Sequence, residues 1–116
     1  MIVHHVQSDG AVVDPGGRPV GRLPIADGAA LVDVGRTEQL SAIVDVLADG
    51  STDPQPVHHQ DEAYVVLAGR ARAVVGDDAT EVGSGSILIV PAGTSHRFVD
   101  PTDGFTAVAV FAPPLA

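Results

Sequence analysis

Short apolar runs, rather than the stripes of amphipathic helices, make up the hydrophobic pattern of this chain. The runs are rich in Val and Ile and end at Gly, Asp or Pro, which is typical of β-strands. They follow one another at roughly 8–12 residues, the spacing of a sandwich or barrel. The pattern predicts strands at Ala11–Val13, Ala30–Val34, Gln39–Leu47, Glu62–Leu67, Arg70–Val75, Thr80–Val82, Ser86–Val90, His96–Val99 and Thr106–Phe111.

Turn signals between the runs predict antiparallel hairpins. Gly, Pro and Asp cluster at several places, where they tolerate a positive φ or cap the backbone locally. These turns begin at Asp14, Asp49, Gly76, Gly83 and Pro101. Residues 1–30 hold more Gly, Pro and Asp than the rest, so we expect an arm or edge strands there. We expect about residues 31–113 to form a barrel, within one domain of 116 residues.

The charge of the chain limits its partners and its chemistry. It has 15 acidic and 6 basic residues, a net charge of −9. The basic residues are scattered single arginines, whereas nucleic-acid binding needs clustered cations to neutralise phosphates. We therefore expect no nucleic-acid partner, and a small-molecule substrate or a basic partner instead. The chain has neither Lys nor Cys, which excludes Schiff-base and thiolate catalysis.

The apolar runs are all much shorter than the about 20 residues that a membrane helix needs, so we expect no membrane segment. The first twenty residues lack the basic start and the apolar core of a secretory signal. The default expectation is a cytoplasmic protein, although a mature secreted form would look the same.

Two stretches of the sequence carry the side chains that suit a metal site. One begins at Gly50 and reads GSTDPQPVHHQDEAYVVLAG, and the other begins at Gly85 and reads GSILIVPAGTSHRFVD. They resemble the two motifs of the cupin superfamily, G-x5-H-x-H-x3/4-E-x6-G and G-x5-P-x-G-x2-H-x3-N. The matching residues are Gly50, His58, Glu62, Gly69, Gly85, Pro91, Gly93 and His96. The resemblance is to a small single-domain cupin (monocupin), and it implies an all-β double-stranded β-helix, or jelly-roll barrel, of two antiparallel sheets.

His58, Glu62 and His96 form the candidate ligand set. Alternate residues of a strand face the same way, so His58 and Glu62, four apart, can both point into a barrel. The turn that begins at Pro91 redirects the chain, which lets His96 start the next strand and supply a third inward ligand. Two imidazoles and one carboxylate suit Fe(II) with open positions, and also Zn, Mn, Co or Ni. We expect a divalent metal cofactor, with Fe(II) favoured.

The chain departs from the family pattern at two positions. Pro56 stands where the first motif has its first histidine, and Asp100 replaces the final Asn of the second. Since proline cannot coordinate a metal, the family's usual three His and one Glu are reduced by one ligand. His59 could replace it only by facing inward, whereas strand alternation points it outward. Gln60 has the inward parity and could offer its amide oxygen or hold a water; otherwise water or substrate fills the position.

Other side chains near the motifs have two interpretations each. Tyr64 shares the parity of Glu62, so these two are the candidate catalytic residues; the alternative packs Tyr64 in the core with its hydroxyl bonded to backbone. Phe98 is expected to form a pocket wall. Arg70 and Arg72 share one side of a strand and are expected to face outward, because arginine is rarely buried unpaired.

Three classes of function compete for this barrel. The first is a metal-dependent enzyme acting on a small organic molecule, led by a non-haem Fe(II) dioxygenase, with a metal-assisted isomerase, cyclase or lyase as the alternative. The second is a non-catalytic barrel that binds a small ligand or a metal, and the third is a purely structural dimer. Fold alone does not choose among them. We also expect a homodimer, in which the N-terminal arm and the apolar tail from Phe111 to Ala116 cover a neighbour's sheet edge.

Overall fold

Strands make up the regular structure of this chain, as the hydrophobic pattern predicts. The computed structural model describes residues 1–53 and 57–115, and those residues contain no helix. Their strands are β1 (His5–Val6), β2 (Val12–Val13), β3 (Leu23–Ala26), β4 (Ala29–Arg36), β5 (Ser41–Leu47), β6 (Asp61–Val75), β7 (Asp78–Gly83), β8 (Ile87–Val90) and β9 (His96–Ala112). The described part of the chain therefore holds no helix that could cross a membrane.

Antiparallel pairing joins these strands. β1 and β2 form a small sheet, and the larger sheet has the order β3-β4-β5-β9-β6-β7, with β8 also paired to β6. The central strands β6 and β9 have 15 and 17 residues and pair over most of their length. Their register shifts three times between Val66 and Arg72, so the large sheet curls there into two layers. The fold is all-β with the two-layered arrangement that the sequence predicts.

Gly69 lies where β6 and β9 bend together. Its φ is +77°, and a Cβ atom added there would lie 2.5 Å from the Cα of Phe105 and 2.6 Å from the carbonyl oxygen of Thr102. No other residue fits this close approach of two backbones, because any side chain would clash and the left-handed φ would be strained. Gly69, the second glycine of the first motif, is therefore required by the fold.

The long strands differ from the sequence prediction. The sequence predicts four strands here, at Glu62–Leu67, Arg70–Val75, His96–Val99 and Thr106–Phe111. The structure has two, β6 and β9, so that prediction and the predicted turn at Pro101 are wrong. Asp100 and Asp103 do adopt positive φ values of 52° and 58°. They bend β9 without reversing it, since Thr102 still pairs with Arg70.

The core lies between the two layers, with a smaller cluster outside. The interior cluster joins residues from both halves of the large sheet, including Leu47, Tyr64, Ala73, Phe98 and Phe105. On the outer face Val12 of β2 packs with Val32 and Val44. The N-terminal strands therefore cover part of the outside of the barrel, and the inside is left to the residues of both motifs.

The C-terminal tail also packs on its own barrel. The Leu115 N–H donates to Ser41 Oγ at 3.0 Å, and Gln60 Nε2 donates to the Pro114 carbonyl at 3.1 Å. Phe111 is 2% exposed, and Ala116 lies outside the described residues. The arm and tail that the sequence assigned to a neighbouring chain thus have partners within one chain, and the predicted dimer stays a prediction.

Candidate metal centre

Three side chains from separate parts of the chain converge inside the barrel. His58, Glu62 and His96 each present a ligating atom, and these atoms lie within 4.8 Å of one another. Glu62 Oε1 lies 2.8 Å from His58 Nε2 and 2.9 Å from His96 Nε2. The two imidazole rings meet edge to face, with their centres 5.0 Å apart. The structure thus brings together the residues that the motifs indicate.

Strand pairing holds Glu62 and His96 on the inner side. Glu62 is the second residue of β6, pairs with Val90 and Phe111, and is 2% exposed. His96 is the first residue of β9 and pairs with Val75, at the opposite end of β6. The curl of β6 and β9 therefore brings the two ends of one ladder to the same site.

His58 reaches the site from outside the strands. The predicted strand begins at Glu62, and the argument that strand alternation would carry His58 inward as well does not apply, because β6 begins at Asp61 and the chain bends at residues 59 and 60. The Gly93 N–H donates to the His58 carbonyl at 2.9 Å, which ties the bend to the turn after β8. The side chain still points inward, but a loop rather than strand alternation places it there.

Both imidazoles are oriented through their Nδ1 atoms. His58 Nδ1 lies 3.1 Å from the Gln60 carbonyl oxygen, and His96 Nδ1 lies 2.9 Å from the Thr94 carbonyl oxygen. In a neutral imidazole, donation to these carbonyls keeps the proton on Nδ1 and leaves a lone pair on Nε2. Metal-binding histidines are commonly held in this way, with a carbonyl fixing the tautomer and the ring orientation.

Polar atoms at the centre of the group lack hydrogen bonds. His96 Nε2 lies 2.9 Å from Glu62 Oε1 without good hydrogen-bond alignment, and Glu62 Oε2 is buried near the Tyr64 hydroxyl without an aligned hydrogen bond among the described residues. Buried polar atoms without partners are rare, and an ion or a water commonly accounts for them. A divalent cation among the three side chains would satisfy these atoms, so the residues fit a metal ion.

The ionisation of His96 is tied to Glu62. Burial alone lowers the pKa of His96, but the Glu62 carboxylate and the Thr94 carbonyl together raise it by more, so it lies above 6.5. Without a cation, the carboxylate therefore favours the imidazolium form. A proton and a metal ion compete for the same Nε2 atom, so metal binding should weaken as the pH falls.

The alternative ligands lie outside this group. His59 is exposed in the bend before β6, and Gln60 is half-buried with its amide nitrogen donating to the Pro114 carbonyl. Gln60 is thereby held to the tail rather than to the site. Arg70 and Arg72 are exposed, which agrees with their predicted outward orientation.

Tyr64 lies directly beside the group. It is 1% exposed, and its ring centre is 6.1 Å from that of His96 and 4.9 Å from that of Phe98. Its hydroxyl is buried close to the Glu62 carboxylate, without a well-aligned hydrogen bond in the described part of the chain, so the backbone-bonded alternative is not what the structure contains. Burial raises the pKa of Tyr64, and the nearby Glu62 carboxylate raises it further, which keeps the hydroxyl protonated.

Asp45 is a buried acid that the sequence analysis missed. It faces inward on β5, is 2% exposed, and neither carboxyl oxygen has a hydrogen-bond partner in residues 1–53 and 57–115. Burial raises the pKa of Asp45 to about 8, with further contributions from the carboxylates of Asp53 and Glu62. The sequence feature that could have identified Asp45 is its position between Ile43 and Leu47, where strand alternation places it on an otherwise apolar face.

The space beside the group is narrow. A small cavity lined by both Tyr64 and His96 has no room for a water-sized sphere. A wider cleft of about 480 Å³ lies elsewhere, beside Arg22 and Thr106, and none of the three group residues lines it.

Known proteins resemble this chain in both sequence and structure. A family model described as the cupin domain matches residues 43–113. The uncharacterized protein SCO3923 of Streptomyces coelicolor is 41% identical over 88 residues, which cover 76% of this chain and 83% of that protein. In structure, an RmlC-like cupin from Shewanella frigidimarina matches with a TM-score of 0.74 at 19% identity, over 81% of this chain and 84% of that one. KdgF from Halomonas sp. matches with a TM-score of 0.75 at 18% identity, over 80% and 86%.

Proposed function

This chain belongs to the cupin family, and from that premise we propose that it is a metal-dependent enzyme acting on a small organic molecule. His58, Glu62 and His96 would hold the divalent ion, and a non-haem Fe(II) dioxygenase is the activity that this ligand set favours. The observation that carries the proposal is the convergence of three ligating atoms within 4.8 Å, where His96 Nε2 and Glu62 Oε2 are buried without an aligned hydrogen bond among the described residues.

The ligand set leaves room in the coordination of an ion. The two imidazoles are neutral, so the carboxylate cancels only one of the ion's two positive charges. Three protein ligands also leave coordination positions of the ion open. The family's first motif has a further histidine where this chain has Pro56, which lies outside the described residues. When bound, the ion would supply Lewis acidity towards a substrate oxygen and, as Fe(II), reducing electrons for dioxygen.

The side chains around the group determine where protons can be held. Tyr64 stays a neutral hydroxyl and can donate a hydrogen bond to a substrate oxygen beside the ligands. Asp45 lies further along the barrel and holds a proton below about pH 8. Phe98 packs edge-on against Tyr64, which fixes the phenol ring and keeps water out. His59 is exposed and is not part of the ligating group, so we do not assign it the role of a base.

Metal loading followed by oxygen uptake tests the proposal. The protein, freed of metal with a chelator, is titrated in turn with Fe(II), Mn(II), Ni(II) and Zn(II) without oxygen, and we expect one ion per chain. The Fe(II) form is then screened for oxygen consumption with sets of small organic acids, phenols and enols, with the Zn(II) form as control. A protein that binds none of the four ions contradicts the metal-dependent function.

Two further candidates are each favoured by one observation. The narrow space beside Tyr64 and His96 favours a non-catalytic metal-binding barrel, which would load metal but turn over no substrate. The protonated groups Asp45 and Tyr64 favour an isomerase, cyclase or lyase, since such reactions move protons and need no dioxygen. Substrate turnover by the Zn(II) or Mn(II) form without oxygen would distinguish this last class from a dioxygenase.

A further inference from the structure

A cleft of about 480 Å³ lies on the outside of the large sheet, and none of the three metal-centre residues lines it. Its floor is one row of the strand register, in which Pro24 of β3, Ala30 of β4, Val46 of β5 and Thr106 of β9 lie side by side. Val46 also packs against the smaller hydrophobic cluster, which places this row on the outer face. We call this space the outer cleft, and its volume is typical of small-molecule sites.

Two residues of opposite charge lie at the two ends of this row. Arg22 directly precedes β3 and lines the cleft at the β3 end. Asp9 belongs to the loop between β1 and β2, and this loop reaches the β9 end, because a Cβ atom added at Gly10 would lie 2.8 Å from Thr106 Oγ1. The row crosses three strand spacings, or about 14 Å. Among the described residues, no other charged side chain lines the outer cleft.

The protein neutralises neither of these two charges. The ion pairs within residues 1–53 and 57–115 are those inside the candidate metal centre, so Asp9 and Arg22 have no ion-pair partner there. Asp9 Oδ1 accepts the Ala11 N–H at 3.0 Å, which orients the carboxylate, and Asp9 Oδ2 makes no hydrogen bond within the same residues. A carboxylate oxygen at one end of the cleft and a guanidinium group at the other are therefore available to a ligand.

We propose that the outer cleft binds a small linear zwitterion, an ω-amino acid, with its amino group at Asp9 and its carboxylate at Arg22. An ammonium group can donate to the free Oδ2 of Asp9, and the planar guanidinium of Arg22 presents two parallel N–H donors to a carboxylate. The methylene chain of the ligand would lie over Ala30 and Val46. This site goes beyond the proposed metal-dependent function and does not depend on it, since the metal-binding residues lie outside the cleft.

The charge of the chain favours a ligand without net charge. At a net charge of −9 the protein repels an anion, and an anion in the cleft would also lie near Asp9. A cation without a carboxylate would lie near Arg22 with no compensating group. A zwitterion avoids the long-range repulsion, and each of its ends meets the opposite charge. Both side chains are exposed, so each ion pair is weak, and we expect a Kd of about one millimolar.

Titration of the isotope-labelled full chain, followed by the NMR signals of its backbone amides, tests this site. The probe is δ-aminovaleric acid, and valeric acid and pentylamine are the matched probes that keep one charge each. We expect δ-aminovaleric acid to shift the signals of Gly28, Ala30 and Val46, which line the outer cleft. Each singly charged probe should bind about fivefold more weakly or worse, because it forms only one of the two ion pairs.

Two variants each remove one charge of the outer cleft. Arg22→Gln keeps a long polar side chain, and Asp9→Asn keeps the Oδ1 atom that accepts the Ala11 N–H. Each should weaken the binding of δ-aminovaleric acid about fivefold. The matched controls are Arg72→Gln and Asp77→Asn, which make the same changes at exposed positions outside the cleft and should bind as wild type does.

The amide spectrum of each variant also shows whether it is folded, and if Asp9→Asn does not fold, Arg22→Gln alone carries the test. No binding of δ-aminovaleric acid at about ten times the expected Kd overturns the proposal. Valeric acid that binds as tightly overturns it too, since the cleft would then be a simple anion site, as do charge variants that bind like wild type. A chelator-treated sample should bind equally well, and loss of binding there would instead assign the ligand to the metal centre.

Discussion

His96 Nε2 lies 2.9 Å from Glu62 Oε1, although His96 is paired with the far end of β6 from Glu62. The two residues meet only because β6 and β9 curl together as one ladder. The candidate metal centre is therefore a consequence of the bend, and it depends on the backbone crossing at Gly69. Changes at that crossing should disturb both the stability of the barrel and the geometry of the ligands.

Gly69→Ala should be strongly destabilising. A methyl group there meets the Phe105 backbone at 2.5 Å, and the φ of +77° adds strain. We expect a loss of about 3 kcal/mol or more in the free energy of unfolding, measured by urea denaturation. Gly50→Ala is the matched control, because Gly50 has a φ of +71° with nothing within 4 Å, and it should cost about 1–2 kcal/mol. Equal losses in the two variants would mean that strain alone, and not the crossing, makes Gly69 necessary.

His96→Ala should abolish tight metal binding. The substitution removes one of three ligands, so we expect the affinity for Zn(II) or Fe(II) to fall at least about 100-fold in competition with a chromogenic chelator. His59→Ala is the control, since its exposed side chain is the immediate neighbour of His58 in sequence yet lies outside the group. It should change the affinity less than about twofold. Full metal content in the His96→Ala protein would show that the ion binds elsewhere.

The sequence predicted which residues form the site, but it did not correctly predict how the chain positions each of them. Fixed motif spacing predicted that His58, Glu62 and His96 converge, because spacing survives whether a residue sits on a strand or in a loop. The reason given for His58 was wrong, since strand alternation says nothing about a bend before the strand begins. Asp45 was overlooked because it is a single acidic residue in an apolar run and belongs to neither motif.

Strand boundaries were predictable only where turns reverse the chain. The turns at Asp14, Asp49, Gly76 and Gly83 are present, and the strands between them were placed to within a few residues. The bend around Pro101 contains the same turn-forming residue types, Gly, Pro and Asp. Pairing with β6, which is distant in sequence, keeps β9 continuous there, and the local sequence does not indicate that pairing. β3 lies within residues 1–30, where an arm or edge strands were expected without bounds, and as an edge strand it tolerates Pro24.

Tyr64→Phe should leave the fold and the metal content unchanged. The hydroxyl that it removes is buried beside the Glu62 carboxylate without a well-aligned hydrogen bond in the described residues, so the free energy of unfolding should stay within about 1 kcal/mol of wild type, or rise. Any substrate turnover by the Fe(II) form should fall, because the substitution removes the neutral hydroxyl that can donate a hydrogen bond to a substrate oxygen. A loss of more than about 2 kcal/mol in thermal or urea denaturation would instead assign the hydroxyl a structural hydrogen bond.

Asp45 should make the stability of the metal-free protein fall as the pH rises. Its pKa is raised from 3.8 to about 8 in the folded chain by burial, then by the carboxylates of Asp53 and Glu62, while His96 acts in the opposite direction. Between those two values the folded state binds the extra proton, so the free energy of unfolding decreases with pH and the loss is complete above about pH 8. At about 1.4 kcal/mol for each pKa unit, the full effect is about 6 kcal/mol.

Asp45→Asn removes this titration while nearly preserving the shape of the side chain. The variant keeps a buried polar group without partners at every pH, so it should be no more stable than wild type near pH 5, where the wild-type carboxyl is protonated. Near pH 9 the wild-type protein carries a buried charge, and there the variant should be more stable by several kcal/mol. Asp33→Asn, at an exposed position of β4, is the control and should follow the wild-type pH dependence. The test is urea denaturation of the three metal-free proteins at both pH values. If the free energies of unfolding of wild type and Asp45→Asn change equally with pH, Asp45 is ionised in the folded barrel at neutral pH and the prediction is wrong.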